Sequence, residues 1–335
     1  MKYFIPSLKN FFLYPLLFFF SCSTAKLKQE QKVGDQSIYL ADPTIFFANN
    51  MYYLYGTVGA NANNGFLVYT SSDLKHWHAS KEVNNGYALQ KGDAYGTKGF
   101  WAPQVFLYNK KFYMAYVANE NIAIAESNSP LGPFKQQVRD SLSAAVKQID
   151  PFVFIDDDGK KYLYHVRLTQ GNKIFFAEMT DDFSAIKPET VHECITATVP
   201  WENTLNATWP VTEGPTVIKH NDLYYLFYTS NDFRNPDYAV GYAVSKNPLG
   251  PWKKYGGNPI LTKKVLGVNG TGHGDIIINK KEKMFFVFHT HHSNNVVSPR
   301  KTAIVEMKFS KDPAGGYDKI TVLSNTASFL RLEGK

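Results

Sequence analysis

The sequence predicts an all-β protein, a five-bladed β-propeller whose four-stranded antiparallel blades surround a central channel. Pro and Gly punctuate the chain at short intervals, and no segment after the N-terminal region shows a long helical period. Five similar units begin near Asp42, Ala102, Asp150, Glu213 and His273, at spacings of 60, 48, 63 and 60 residues. Short strands repeated in this way, with few exposed edges, are typical of a propeller.

The first 21 residues are expected to be a signal peptide of the lipoprotein type, outside the fold. Lys2 and Lys9 precede the apolar run "FFLYPLLFFF", which is too short to span a membrane as a helix. Cys22 follows this run and resembles the cysteine that bacterial lipoproteins carry as their lipidation site. We therefore expect a lipid-anchored lipoprotein of the cell envelope, in the periplasm or on the outer-membrane surface. Plain secretion and a retained anchor are the alternatives.

Residues 22–36 are polar and are predicted to be a tether, so that the folded domain spans residues 37–335. Every unit of this domain opens with an inner strand, followed by a tight polar turn and a second, aromatic strand. The inner strands read "PTIFFA", "PQVFLY", "PFVFID", "PTVIKH" and "GDIIIN". The second strands read "MYYLYGT", "FYMAYVA", "YLYHVRL", "LYYLFYTS" and "MFFVFHTH". Aromatic and β-branched residues suit the half-buried surface of a pleated sheet.

A third strand of small and apolar residues follows in each unit: "GFLVYTSS", "NIAIAES", "KIFFAEM", "YAVGYAVS" and "KTAIVEM". Several units then end in a shared tag before an outer fourth strand. The tags "SPLGPFK" and "NPLGPWK" are nearly identical, and "SSDLKHWH" and "DDFSAIK" stand in equivalent places. Five blades of this kind account for about 290 residues, nearly all of the chain beyond the tether.

The positive charge of the chain is spread rather than concentrated. The formal net charge is +7, yet the longest basic clusters are pairs such as Lys110-Lys111 and Lys263-Lys264. A nucleic-acid-binding protein would show a basic stripe, so no nucleic-acid partner is expected, and we expect a monomer. Apart from Cys22, only Cys194 is present; no partner pattern surrounds it, and it is interpreted as an ordinary thiol.

The ends of the inner strands of a propeller ring one mouth of its channel. Asp42, Asp150 and Glu213 open their strands and are therefore expected to converge there, beside His273. Three carboxylates so close repel one another, so their convergence indicates a functional site. A protonated acid and an ionised base across a sugar suffice to cleave a glycosidic bond, and a third carboxylate raises the pKa of the acid.

Three tripeptides at these openings carry a resemblance to a known family: "ADP" at 41–43, "IDP" at 149–151 and "EGP" at 213–215. In this order within five units, they resemble glycoside hydrolase family 43, and the resemblance covers about residues 37–335. It implies that Asp42 is the general base and Glu213 the general acid. It also implies that Asp150 modulates the pKa of the acid and orients it, and that the configuration of the sugar is inverted.

The resemblance extends to three further positions. Trp101, in "WAPQV", would be an aromatic platform for the sugar, or else a tryptophan that packs the blade. His273, in "GTGHGD", would bind a metal ion in the axial channel, usually Ca2+ and largely through water, or else be hydrogen-bonded there. Arg300 would bind the sugar or orient the acid, or else lie exposed in its loop. On the second strand of the third unit, His165 and Arg167 are further candidates for lining the pocket.

Two motifs that suggest metal sites are interpreted otherwise. In "HTHHS", His289 and His291 share one face of a strand while His292 points away, and no spacing of Cys or carboxylates supports zinc. The run "DDDG" lacks the rest of a calcium-binding loop and is predicted to form a hairpin turn.

The resemblance implies an inverting, exo-acting glycoside hydrolase that acts on arabinose- or xylose-containing polysaccharide fragments, with no organic cofactor. An α-L-arabinofuranosidase is favoured over a β-xylosidase or a galactofuranosidase, because no appended carbohydrate-binding module is present and long insertions are few. The expected partner is thus an oligosaccharide or polysaccharide substrate.

Two alternatives remain open. A non-catalytic sugar-binding propeller lipoprotein would need no set of three acids. A related propeller enzyme is the other alternative: a fructosidase, an anhydrosugar hydrolase or a glycoside phosphorylase. A fructosidase usually opens with an "NDPNG"-like nucleophile, from which "ADPT" departs, and no basic phosphate-binding cluster stands near the acid.

Overall fold

The structure is a computed structural model, and it describes residues 36–80, 84–142, 144–312 and 316–333. The predicted signal peptide, Cys22 and the tether up to residue 35 lie outside the described residues. Among the described residues, no helix has the length and apolar character needed to cross a membrane.

The described residues form five mostly antiparallel sheets arranged as the blades of a propeller, together with one separate two-stranded sheet, which confirms the predicted fold class. Within this part of the chain the helical segments are single 3-10 turns: Gly59–Asn61, Asn84–Gly86, Pro188–Thr190, Pro200–Glu202 and Ser324–Thr326. Each blade pairs its strands outward in sequence order, so the first strand of each blade is the innermost.

The first blade departs from the plan read off the sequence. Its segments are β1 (Ala41–Ala48), β2 (Met51–Thr57), β3 (Gly65–Leu67), β4 (Tyr69–Ser71), β5 (His76–Ala79) and β6 (Tyr87–Gln90). The stretch "GFLVYTSS", predicted to form the third strand of this blade, is divided into two strands. β4 pairs with β2, whereas β3 leaves the blade to pair with β6. The insertion that ends in β6 supplies β3 with this antiparallel partner.

The next three blades follow in order along the chain. Their strands are β7 (Trp101–Tyr108), β8 (Lys111–Ala118), β9 (Asn121–Ser127), β10 (Gln148–Ile155), β11 (Lys161–Leu168), β12 (Asn172–Glu178), β13 (His192–Ile195), β14 (Thr212–His220), β15 (Leu223–Ser230), β16 (Ala239–Ser245) and β17 (Lys253–Lys254). The second blade, β7–β9, has three strands rather than four. In the place of its outer strand, Lys135 makes a single β-bridge with Glu126.

The fifth blade joins the first and closes the ring. Its strands are β18 (Gly272–Ile278), β19 (Met284–Thr290), β20 (Lys301–Ser310) and β21 (Lys319–Val322), followed by the short β22 (Ser328–Phe329) and β23 (Arg331–Leu332). β22 pairs with β20 of the last blade, and β23 pairs in parallel with β5 of the first. The amide of Ile38 donates to the carbonyl of Leu330 at 3.0 Å, and Thr302 donates to the carbonyl of Ile38 at 3.0 Å.

The repeated tags have a structural role at the junctions between blades. The hydroxyl of Tyr55, on the second strand of blade one, donates to the carbonyl of Pro130 in "SPLGPFK" of blade two. Likewise, Tyr164 of blade three donates at 2.6 Å to the carbonyl of Pro248 in "NPLGPWK" of blade four. Both tyrosines are fully buried. A buried hydroxyl needs a partner, and the tag of the following blade supplies it.

Candidate active site

A β-bulge near the start of every inner strand aims the residues of the site. The pairing of inner and second strands gains one unpaired residue in all five blades. The bulged residues all have positive φ: 48° at Asp42, 44° at Ala102, 53° at Asp150, 59° at Gly214 and 40° at His273. Bulges re-aim side chains, and left-handed backbone at residues with a Cβ stores strain that concentrates at functional sites.

The bulges correct the alignment of the fourth unit by one residue. The equivalent of Asp42 and Asp150 in that blade is Gly214, not Glu213. Glu213 instead corresponds to Trp101, the residue before the bulge of blade two. A glycine is required at 214, because a Cβ there would lie 2.7 Å from Cδ2 of His273.

The mouth of the channel holds a pocket of about 310 Å³. Six of the residues singled out in the sequence line it together: Asp42, Trp101, Asp150, Glu213, His273 and Arg300. Four more residues that the sequence reasoning missed complete its wall: Ile149, Asn172, Asp232 and Phe233.

Asp42 is held as an ionised carboxylate. Its Oδ1 accepts from Nη1 of Arg300 at 3.0 Å, and its Oδ2 accepts from the hydroxyl of Thr57 at 2.7 Å. Nδ1 of His273 and Nδ1 of His289 each lie 3.4 Å from Oδ1. Burial acts to raise the pKa of Asp42, but Arg300, followed by His273 and the Thr57 hydroxyl, outweighs it and holds the pKa well below its usual range.

His289 is also one of the neighbours of Asp42. In the sequence, it was considered only as part of "HTHHS", where a zinc site was not expected. Its Nδ1 accepts the backbone N–H of Asp42 at 3.1 Å, so it supports the bulge that aims the carboxylate. The ring is fully buried and stacks on Tyr238 at 5.5 Å between centroids. Burial and the nearby Arg300 hold the pKa of His289 well below its usual range, so the ring is neutral and free to accept.

Glu213 has the opposite surroundings to Asp42. Its Oε1 accepts from the hydroxyl of Tyr238 at 2.7 Å, and its Oε2 accepts from Nδ2 of Asn172 at 3.0 Å. Burial raises the pKa of Glu213 to about 7, assisted by the charge of Asp42 and opposed by the hydrogen bonds from Tyr238 and Asn172. A carboxyl group with such a pKa can hold a proton near neutral pH and release it to a substrate.

Asp150 lines the same pocket as these two groups and is also buried. Its Oδ2 accepts the backbone N–H of Gly214 at 3.2 Å and lies 3.9 Å from Nδ1 of His273. Burial, together with the charges of Glu213 and Asp42, raises the pKa of Asp150 well above its usual range. Because Gly214 directly follows Glu213, Asp150 holds the backbone next to Glu213.

Two of the predicted pocket residues do not reach the pocket. His165 is fully buried, and its Nε2 accepts from Nε of Arg167 at 3.2 Å. Arg167 stacks over Phe175 at 5.3 Å, and neither residue is part of the pocket wall. Both lie on the second strand of blade three, one layer farther from the axis than the pocket-lining ends of the inner strands. His165 therefore packs the blade.

Arg300 lies beside Asp42 rather than beside Glu213. Besides its bond to Asp42, its Nη1 lies 3.2 Å from Nε2 of His289. The guanidinium stacks over Phe233 at 4.6 Å, which fixes the plane of the charged group.

The axial channel below the pocket has a cavity of about 20 Å³, room for about one water or small ion. Its wall includes His273 and the partly buried Asp275, whose Oδ2 accepts from the Thr44 hydroxyl at 2.6 Å. The side-chain amide of Gln104 donates to the carbonyl of Val153 and accepts from its N–H, so both ends of this amide already have partners. No three His, Cys, Asp or Glu side chains of the described residues come together as a metal site. These donors therefore fit a cation only if water supplies most of its oxygens.

Residues 37–314 match the family described as "Glycosyl hydrolases family 43". A solved structure described as an endo-1,4-β-xylanase from Bacteroides thetaiotaomicron VPI-5482 is 43% identical with a TM-score of 0.81, covering 90% of this chain and 99% of its own.

Two curated relatives are more distant. A β-D-galactofuranosidase of Aspergillus niger is 23% identical over 302 residues, 82% of this chain and 80% of its own length. An arabinoxylan arabinofuranohydrolase of Bacillus subtilis is 25% identical over 353 residues, 88% of this chain. The match covers 66% of that relative, so this chain spans just under two thirds of its length.

Proposed function

Since the chain belongs to glycosyl hydrolase family 43 and is a glycoside hydrolase, we propose that it is an inverting, exo-acting enzyme on arabinose- and xylose-containing polysaccharide fragments. α-L-Arabinofuranosidase is the activity proposed first. The arabinoxylan-acting and galactofuranose-acting names of its relatives favour a furanose, and the pocket of about 310 Å³ has room for one such ring. The xylanase name of the more similar solved structure makes cleavage at xylose the second candidate.

One observation carries the proposed chemistry. Asp42 and Glu213 line the same pocket, yet the pKa of Asp42 is held low while that of Glu213 is raised to about 7. Two carboxyl groups whose surroundings separate their pKa values are suited to act as a base and an acid. We assign Asp42 as general base and Glu213 as general acid.

The reaction proceeds as a single displacement. Glu213 gives its proton to the glycosidic oxygen as that bond to the anomeric carbon breaks. Asp42 takes a proton from a water molecule, and the oxygen of this water forms the new bond to the anomeric carbon. Because the water attacks from the face opposite the leaving group, the configuration is inverted. Glu213 ends ionised and Asp42 protonated, and exchange with solvent restores both.

The surrounding hydrogen bonds serve this cycle. Tyr238 and Asn172 donate to Glu213, and these bonds are strongest once the carboxylate has lost its proton. Asp150 keeps the acid in place through Gly214, and we propose that it modulates the pKa of the acid. Trp101 is proposed as a platform for the sugar in the pocket, with Arg300 at its edge.

A calcium ion held by His273 and water in the axial channel is proposed as a support for the electrostatics of the site. No chemical step is assigned to it. Dialysis against a chelator should lower the thermal midpoint, and added Ca2+ should restore it. An unchanged midpoint in both directions would remove calcium from the proposal.

We propose lipidation at Cys22 and a location in the cell envelope, on the strength of the N-terminal sequence alone. Expression of the full chain in a bacterium fed a labelled fatty acid should label the wild type and not Cys22→Ala. Label in both proteins, or in neither, would contradict lipidation at this residue.

The function is tested with wild type, Asp42→Asn and Glu213→Gln on nitrophenyl pentosides and furanosides and on arabino- and xylo-oligosaccharides. Wild-type release with both variants nearly inactive is expected, and the cleaved member identifies the sugar. The first anomer detected by NMR should be inverted. Oligosaccharide binding without any cleavage would instead indicate a sugar-binding protein.

A further inference from the structure

Trp209 is the only aromatic among the large hydrophobic side chains left exposed in the described part of the chain; its exposed fraction is 49%. It lies in the segment between β13 and β14, directly before the strand that carries Glu213. An exposed indole at the edge of a pocket is an apolar face available to a ligand.

A chain of two hydrogen bonds connects this indole with the acid. Nε1 of Trp209 donates to Oδ1 of Asn172 at 2.9 Å, and Nδ2 of Asn172 donates to Oε2 of Glu213 at 3.0 Å. Asn172 lines the pocket, whereas Trp209 lies outside its wall. A general acid stands beside the oxygen of the group that leaves. The indole is therefore on the leaving-group side of the site.

The position of Trp209 is restrained by the backbone that directly follows it, which is bound to Asn172. Asn172 donates its backbone N–H to the carbonyl of Pro210 at 2.9 Å, and the hydroxyl of Thr212 donates to the carbonyl of Asn172 at 3.1 Å. A platform that is ordered before the ligand arrives binds at a lower entropic cost.

The earlier part of the segment between β13 and β14 is anchored by hydrogen bonds to a buried carboxylate. Glu202 is fully buried, and its Oε2 accepts from the backbone N–H of Thr198 at 2.7 Å and from Lys254 at 2.6 Å. Its Oε1 accepts from the hydroxyl of Tyr228 at 2.7 Å. These contacts attach the segment to the fourth blade.

We propose that Trp209 forms a leaving-group subsite, on which the apolar face of the next sugar ring of the substrate stacks. This inference rests on the proposed function, because it takes Glu213 as the acid. The substrate is then a saccharide whose leaving group is itself a sugar, and a pyranose ring such as xylose presents its C–H face to the indole.

The test compares wild type, Trp209→Ala, Trp209→Phe and the control Leu205→Ala, whose side chain is 71% exposed in the same segment. Each protein is assayed on an oligosaccharide and on the glycosyl fluoride of the sugar that the wild type releases. Fluoride offers no ring to stack. We expect Trp209→Ala to lose about tenfold in kcat/KM on the oligosaccharide, mainly through KM, and little on the fluoride.

Trp209→Phe should recover most of the oligosaccharide activity, because it keeps an aromatic face although it loses the N–H. Equal losses on both substrates, or none on either, would overturn the subsite. A loss for Trp209→Phe as large as for Trp209→Ala would show that the N–H matters and the face does not, which also overturns it. A wild type that cleaves neither substrate would instead overturn the proposed function.

Discussion

At the scale of residues, the two proposed catalytic carboxyls differ in the charge of their partners. Asp42 is surrounded by one guanidinium, two imidazoles and a hydroxyl donor. Glu213 has a phenol and an amide as neutral donors, with carboxylates nearby. Burial acts on both groups in the same direction, so these partners decide which one ionises first.

Replacing Arg300 with Met should weaken the base at low pH. Arg300 is the strongest of the interactions that lower the pKa of Asp42, so its loss raises that pKa. The acidic limb of kcat/KM should move to higher pH by about one unit. Arg234→Met is the matched control, because Arg234 pairs with Asp232 at the same pocket and does not contact Asp42. An unmoved acidic limb, or the same movement in both variants, would contradict this account.

Tyr238→Phe tests the acid. The hydrogen bond from Tyr238 lowers the pKa of Glu213 from what burial alone would produce, so its removal raises that pKa. In the wild type the alkaline limb of activity should lie near pH 7; in the variant it should lie higher, with kcat about tenfold lower. Tyr116→Phe, whose hydroxyl bonds to the carbonyl of Tyr95, serves as the control. A limb that moves to lower pH would refute the assignment.

At the scale of elements, the bulged start of each inner strand is the device that builds the site. Three of the five bulged positions carry Asp42, Asp150 and His273, while Gly214 lets the ring of His273 approach. The "PLGP" tags have a different role, at the junctions between blades. Each provides a carbonyl that accepts a hydrogen bond from the hydroxyl of a buried tyrosine of the preceding blade.

Gly214→Ala should damage both stability and activity. The φ of 59° is unfavourable for alanine, and its Cβ would lie 2.7 Å from the ring of His273. We expect a loss of about 1–3 kcal/mol in the free energy of unfolding, measured by denaturant titration. Gly256→Ala, where a Cβ meets nothing within 4 Å, should remain within about 0.5 kcal/mol of wild type. Equal stability of the two variants would rule out strain at position 214.

At the scale of the whole molecule, the ring closes where both ends of the described chain meet. The residues around Ile38 and Leu330 lie between blade five and blade one, and β22 and β23 each join one of these blades. Asp42 and Arg300 belong to different sides of this seam, so the geometry of the base depends on closure.

Removing residues 328–335 should therefore lower the thermal midpoint by about 5 °C or more and reduce activity beyond the loss in stability. Removal of residues 334–335 alone is the control and should leave both unchanged. An enzyme that keeps full activity and its midpoint after the longer truncation would show that the seam does not need these strands.

The sequence by itself determined the all-β class, the five units and the convergence of Asp42, Asp150 and Glu213, because strand alternation, turn residues and repeats are local signals. The tertiary structure decided the partners of these acids. Thr57, Asn172 and His289 come from other strands and Tyr238 from the loop before one, up to 247 residues away from the acidic residue that they contact. No local pattern marks them, and only the curvature of the closed ring brings them to one mouth. For the same reason the structure, and not the periodicity, placed Glu213 one residue before its bulge and buried His165.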